Sequence, residues 1–181
     1  LSQPGVRAET DAQLWRAFAA SNAGDHATAH GLFRTHADAL NAYPDPFFTR
    51  MALTAIDSAL AEGDGDTAAQ WMDRLVRKGA HQGPLAAHVQ YRRGRVQDVQ
   101  GDTDRAEKTF ADLTGSRDRL HRTLATRDLI ELRLRTGRIT PQEAAEEFEK
   151  LRFAWRGDAL ELAIQRRLGE LHAEAKNYAQ A

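Results

Sequence analysis

Apolar residues recur along this chain with the spacing of an amphipathic α-helix, every three or four positions. The stretch LHRTLATRDLIEL shows the pattern most clearly, because Leu120, Leu124, Leu129 and Leu132 fall on one helical face. No segment reads as a credible β-strand. The pattern predicts helices near residues 10–23, 25–40, 46–61, 65–79, 84–99, 102–114, 118–136, 141–153 and 158–175. We therefore expect an all-α fold.

The segments that join these helices carry a repeated motif. A helix ends at Gly24, Gly63, Gly101 and Gly137, with Lys176 in the equivalent place, at spacings of 36 to 39 residues. An Ala follows five positions after each of the first three glycines and seven positions after Gly137, and a large apolar side chain comes four residues after each Ala. These pairs are Ala29 and Phe33, Ala68 and Met72, Ala106 and Phe110, and Ala144 and Phe148. A unit of two helices therefore recurs, as in repeat proteins.

The motif has a direct physical interpretation. Glycine readily adopts the left-handed conformation that closes a helix, and a polar residue after it can cap the next helix. In TPQE, Thr140 is the expected cap, Pro141 begins the helix and Glu143 completes a capping box. In RGD, Asp158 is the expected cap of the last helix, and we give cell adhesion little weight. The small Ala lets two helices approach closely, and the aromatic residue fills the gap between them.

A single helical pair cannot bury its apolar face, so neighbouring pairs must stack. We expect one α-solenoid domain over residues 1–181, with repeats near 10–41, 46–80, 84–115, 118–153 and a partial one at 158–181. The opening LSQPGV lacks an initiator Met, and the closing NYAQA resembles the first turn of a helix. We expect a piece of a longer protein, whose open C-terminal edge could support self-association.

This repeat resembles the tetratricopeptide repeat. The best match is RRLGELHAEAKNYAQA (166–181), with Leu168-Gly169 at the small-residue site and Tyr178 and Ala181 opening a second helix. Gly94 matches the same small-residue site in the repeat near 84–115. The units exceed the usual 34 residues, and the Trp of the first helix and the closing Pro are missing. The resemblance implies a concave groove, lined by the first helix of each pair, that binds an extended peptide or a helix.

Mapping that groove by repeat position gives Leu14, Phe18, Leu53, Asp57, Tyr91, Arg95, Arg127, Glu131, Arg166 and Glu170. Arg95, Arg127 and Arg166 form what we call the arginine ladder, with Tyr91 as an apolar platform. Leu14 and Phe18 stand where some tetratricopeptide proteins carry a Lys/Asn clamp for a C-terminal carboxylate, so we do not expect that function. The ladder predicts an acidic partner. Alternatively, these arginines pair with Glu131, Glu170 and Asp98 and only keep the face soluble.

Composition narrows the functional classes. The chain has no cysteine, 28% charged residues and a net charge of −1, which excludes disulfides and thiol chemistry. No run approaches the ~20 apolar residues of a membrane span, so we expect no membrane insertion. Residues 1–66 carry 4 basic and 9 acidic side chains, whereas residues 92–138 carry 12 and 8. Arg outnumbers Lys by 21 to 4, which indicates a GC-rich bacterial genome; the periplasm, cell envelope and cytoplasm all stay open.

Catalytic signatures are missing. Phosphate-binding, dinucleotide-binding and serine-nucleophile motifs are not found, so we expect neither an enzyme nor a cofactor. His26 and His30, four positions apart, could bind a metal but more simply pack between helices. We also expect Trp15, Trp71 and Trp155 to be core residues.

The sequence therefore predicts a protein-interaction scaffold in a bacterial assembly. Two alternatives stay open: nucleic-acid binding through the basic stretch 92–138, and a regulatory module that binds a small ligand.

Overall fold

The computed structural model describes residues 4–175, which form ten α-helices and one short 3-10 helix and contain no strand. The α-helices are α1 Pro4–Asn22, α2 His26–Thr35, α3 Ala37–Asn41, α4 Phe47–Ala61, α5 Gly65–Arg77, α6 Ala86–Val99, α7 Thr103–Leu113, α8 Arg119–Arg135, α9 Pro141–Leu151 and α10 Ala159–Glu174; the 3-10 helix is Ala80–Gln82. The all-α prediction is confirmed. The repeat positions assigned to Lys176, Tyr178 and Ala181 lie outside the described residues.

Two helices differ from the sequence prediction. Helix α1 begins at Pro4, well before the expected residue 10. The helix expected over residues 25–40 is interrupted at His36, where φ is −106°. The residue before it, Thr35, donates its hydroxyl to the Gly31 carbonyl, one turn back, at 2.9 Å. Such back-bonding by Thr often bends a helix, which fits the interruption between α2 and α3.

The connections between helices follow the predicted chemistry. Gly24, Gly63, Gly101 and Gly137 all have a left-handed φ, between 70° and 84°. Asp25 and Asp64 accept hydrogen bonds from the Thr28 and Thr67 backbone N–H groups at 3.1 and 2.9 Å. The capping box is also present, since the Thr140 N–H donates to Glu143 at 2.8 Å and the Glu143 N–H to Thr140 at 3.2 Å. Asp158 caps α10 through the Leu160 N–H at 2.9 Å.

The repeated apolar pair forms the core. Its four alanines are fully buried, and Phe33, Phe110 and Phe148 are at most 1% exposed. Met72, which replaces the aromatic residue in one repeat, is 5% exposed. The small residue and the large residue four positions later therefore have the packing role that the sequence predicted.

The chain divides into two compact units, one extending to Asp102 and the other beginning at Thr103. In the first unit, α1 packs on α2, α4 packs on α5, and both α1 and α6 contact α4. In the second unit, α7 packs on α8, α8 on α9, and α9 on α10, around a core that includes Ile130, Phe148 and Leu171. The division separates α6 from α7, which the sequence predicts to form one pair. No helix among residues 4–175 is long and apolar enough to cross a membrane.

Candidate partner-binding groove

An open groove of about 570 Å³ lies on the first unit. Its walls come from α1, α4 and α6, the first helix of each predicted pair, together with the first residue of α2 and the residue before α6. The lining residues are Phe18, Ser21, Asn22, His26, Arg50, Leu53, Thr54, Asp57, Leu85, His88 and Arg92. They combine an apolar floor with several charged or titratable side chains.

The groove runs obliquely across the three helices. Helix α1 contributes residues near its C-terminal end (18–22), α4 contributes its middle (50–57), and α6 contributes its N-terminal part (88–92). Neighbouring helices pack at an angle, so equal distances from a loop do not place residues side by side. The lining position therefore moves toward the helix N-terminus from one pair to the next.

Asp57 is the acidic residue of the groove and is held by two arginines from α6. The Arg92 Nη2 and Nε atoms donate to the Asp57 carboxylate at 2.6 and 3.2 Å, a bidentate contact between α6 and α4. Arg95 approaches the same carboxylate at 3.5 Å. The Arg92 and Asp57 side chains are only 18% and 27% exposed. The pair therefore fixes the groove wall and neutralises its acidic group.

Arg50 gives the groove an excess of positive charge. It is exposed, and its guanidinium makes no ion pair with any carboxylate within residues 4–175. His26 and His88 also line the groove. The His26 Nδ1 atom is buried and has no hydrogen-bond partner in that part of the chain. The exposed Arg50 guanidinium favours a ligand that carries a carboxylate.

Four aromatic rings adjoin one end of the groove. Trp15 contacts Phe18 and Phe47 edge-on, with ring centroids 5.9 and 5.3 Å apart, and Tyr43 lies 4.9 Å from Phe47. We call Trp15, Phe18, Tyr43 and Phe47 the aromatic patch. Phe18 belongs to both the patch and the groove, so the two surfaces are continuous.

The tryptophans correct one sequence prediction. Trp71 is 2% exposed and belongs to the core, as expected, but Trp15 is 54% exposed and Trp155 is half-buried. On α1 the buried positions are Leu14 and Ala17. Residue 15 is rotated by about 100° from residue 14 around the helix axis, which turns Trp15 toward solvent.

The groove positions predicted for the first unit lie in different surroundings. Phe18, Leu53 and Asp57 line the groove, whereas Leu14 is fully buried. Tyr91 is 4% exposed, so it does not provide the expected surface platform. On α6 the lining residues are instead His88 and Arg92, one turn before Tyr91 and Arg95.

In the second unit the predicted site residues are in ion pairs. Arg127 contacts Asp128 at 2.6 Å, and Arg166 lies 3.6 Å from Glu170. Glu131 accepts a hydrogen bond from Arg167 at 2.7 Å rather than from a ladder arginine. This bond is the main cause of the raised pKa of Arg167, and Glu174, 2.8 Å away, adds to it. Of the expected i,i+4 pairs, the one between Arg166 and Glu170 is present, and partner binding by the ladder stays a prediction.

The two candidate metal-binding histidines have different surroundings. His30 Nε2 lies 3.1 Å from the carboxylate of Asp64, the residue that caps α5, and His30 is 13% exposed. His26 lines the groove instead. The pKa of Asp64 is lowered, chiefly by hydrogen bonds from the backbone and side chain of Thr67, with a smaller contribution from His30. His30 therefore lies at a contact between α2 and the residue that caps α5.

Comparison with known proteins adds no relative. No protein-family model matches the chain, and no curated protein or solved structure is significantly similar to it. The functional argument therefore rests on the groove, the aromatic patch and the ion pairs of this chain.

Proposed function

We propose that this chain is a non-enzymatic protein-interaction module, built from tetratricopeptide-like repeats, that binds a segment of a partner protein in the groove of the first unit. The observation that carries the proposal is the composition of that groove. Three successive first helices supply its walls, and these walls combine apolar side chains with an arginine that has no ion-pair partner in residues 4–175. Such a surface suits a peptide segment better than it suits a catalytic reaction.

Polar contacts between equivalent positions support the repeat. In the first unit, Ser58 donates to Ser21 at 3.0 Å, and Lys78 donates to the carbonyl of Asn41 at 2.7 Å; both pairs are 37 residues apart. In the second unit, Arg167 and Glu131 are 36 residues apart. These separations fall within the 36 to 39 residues between the loop glycines. Contacts one period apart are what stacked repeats produce.

The basic stretch 92–138 is poorly suited to nucleic acid, because several of its arginines are paired with carboxylates of this chain. This supports a protein partner. Arg92 pairs with Asp57 at 2.6 Å and Arg133 with Glu107 at 2.8 Å. Arg138 contacts Asp104 at 2.5 Å and also Glu107. Binding to phosphates needs arginine and lysine side chains that are free to replace counterions. Arginines already paired with carboxylates are poorly suited to that role.

The carboxyl groups with lowered pKa values support a non-catalytic role. Asp25, Asp64 and Glu143 are stabilised in their charged forms mainly by hydrogen bonds at helix N-termini. Catalytic sites typically bring perturbed groups together in a cleft. Here the perturbations follow the capping pattern of the repeat, and none of these three residues lines the groove.

The test is selection from a random peptide library against the full chain, followed by hydrogen exchange of the bound complex. We expect enriched peptides to protect α1, α4 and α6 from exchange. Arg50→Glu should weaken their binding at least about tenfold. Arg34→Glu is the matched control, because Arg34 is exposed on α2 outside the groove. Failure to enrich any peptide, or equal binding by both variants, would contradict the proposal.

A further inference from the structure

We propose that the segment bound by this groove is acidic and inserts an aromatic side chain into the aromatic patch. This inference rests on the proposed function, and it specifies the chemistry of the partner. It combines two surfaces that the structure makes continuous: the four-ring patch around Trp15 and the positively charged groove around Arg50.

The two surfaces meet on two helices. On α1, Phe18 contacts Trp15 and also lines the groove. On α4, Phe47 and Arg50 are three positions apart, so their side chains lie on the same face of the helix. A bound segment can therefore place an apolar group on the rings and a carboxylate at Arg50 without bridging a gap.

The aromatic patch has the composition of an anchor site. Trp15 keeps 54% of its surface exposed although Phe18 and Phe47 contact its ring. Tryptophan and tyrosine are enriched among the residues that dominate binding energy, because one ring buries a large area with little loss of entropy. Phe153 of the second unit is also exposed, but its neighbours are the guanidinium groups of Arg152 and Arg156, within 5.4 Å of its ring, rather than other aromatic rings. It therefore serves as a control for Trp15. An aromatic residue of the partner can pack edge-on against Trp15, as Phe18 and Phe47 do.

Charge complementarity selects an acidic occupant over a basic or a proline-rich one. Arg92 neutralises Asp57, so Arg50 leaves the groove with a net positive charge. A carboxylate can form a bidentate contact with Arg50, whereas a lysine would be repelled. A proline-rich segment could use the rings but would gain nothing from the arginine.

The experiment measures binding of the full chain to synthetic peptide arrays in a Gly/Ser background. One array combines a Trp with two Glu residues in all relative positions. Matched arrays replace Glu by Gln, Glu by Lys, or Trp by Ala, and a further array is proline-rich. We expect the Trp/Glu array to give the tightest binding. Trp15→Ala and Arg50→Glu should each weaken it at least about tenfold, whereas Phe153→Ala and Arg34→Glu should leave it unchanged.

A charge exchange provides the second measurement. The Arg50→Glu variant should prefer the Trp/Lys array, which also shows that the variant is folded. The inference is overturned if Gln peptides bind as well as Glu peptides, if Trp15→Ala has no effect in a chain with unchanged helicity, or if basic or proline-rich peptides bind best. If basic or proline-rich peptides bind best and Arg50→Glu still changes their binding, the groove binds peptides and the proposed function stands. If no array binds, both proposals fail.

Discussion

The two units of this protein share a helical motif but use their charged residues differently. In the first unit, Arg50 stands in an open groove that shares Phe18 with the aromatic patch, and it makes no ion pair within residues 4–175. In the second unit, Arg167 contacts three carboxylates, those of Glu131, Glu170 and Glu174. The buried Ala and aromatic positions therefore recur in both units, whereas the ion pairs at their surfaces differ.

Truncating a buried phenylalanine should destabilise the two units by similar amounts, and this is the largest expected effect. Phe33 and Phe148 occupy the same repeat position and are at most 1% exposed. Replacing either by Ala should lower the free energy of unfolding by about 3–5 kcal/mol. Urea denaturation followed by circular dichroism measures the change. Phe153→Ala, at a residue 63% exposed, should cost less than about 0.5 kcal/mol. A small loss for only one of the two buried residues would show that the units do not share one packing rule.

The ion pairs of Arg92 and Arg167 should contribute unequally to the free energy of unfolding. Arg92→Met leaves the carboxylate of Asp57 only 27% exposed and without its bidentate partner, which should cost about 1.5–2 kcal/mol. Arg167→Met should cost only about 0.5–1 kcal/mol, because Glu131 is 38% exposed. Denaturation at low and high salt should show the stronger salt dependence for Arg167. Equal losses of stability would show that the half-buried pair of Arg92 and Asp57 contributes no more than the exposed pairs of Arg167.

The helix caps should make both units sensitive to acid. Hydrogen bonds from Thr67 lower the pKa of Asp64 in the folded chain below its ordinary value of 3.8. The unfolded chain therefore binds the proton first, and the stabilisation is complete above that value and declines as pH falls below it. Asp64→Ala should cost about 1 kcal/mol at neutral pH. Its melting temperature should also fall less than that of the wild type between pH 4 and pH 2. A parallel fall would assign the acid sensitivity to other groups.

Substitutions of exposed arginines should have the smallest effect on stability. They should affect peptide binding in the first unit but not in the second. Arg50→Glu should change the free energy of unfolding by less than about 0.5 kcal/mol while abolishing most peptide binding. Arg166→Glu places a like charge four positions before Glu170, which should cost a few tenths of a kcal/mol and leave binding in the first unit intact. Thermal melts and peptide titrations of the same samples measure both quantities. Loss of binding in Arg166→Glu would extend the binding surface to the second unit.

Much of the fold was predictable because the motif is local. Gly63 ends a helix, Asp64 caps the next, and Ala68 and Met72 pack, and each of these roles depends on residues within ten positions. The interruption at His36 was not predicted, since apolar periodicity continues through residue 40 and the Thr35 back-bond leaves no trace in it. The division after Asp102 also depends on contacts between distant helices, which one sequence does not reveal.

The residues that line the open groove and form the aromatic patch differ from the sequence predictions, for two physical reasons. Counting from the loop glycine identified Phe18, Leu53 and Asp57 but gave Tyr91 on α6, where the groove uses His88 and Arg92. That count assumes that successive helices stack without an offset. Trp15 was assigned to the core because it is large and apolar. Only its rotation relative to Leu14 indicates exposure, and that requires knowledge of which face of α1 is buried.

The oblique course of the groove implies a spacing rule in the partner's sequence. Packed helices are about 8–10 Å apart, and an extended chain advances about 3.3 Å per residue. A segment that crosses from α1 to α4 to α6 therefore meets a new helix about every third residue. An aromatic residue on Trp15 would then be followed or preceded by an acidic residue, opposite Arg50, about three positions away. Disordered segments of candidate partners can be searched for an aromatic and an acidic residue at that spacing.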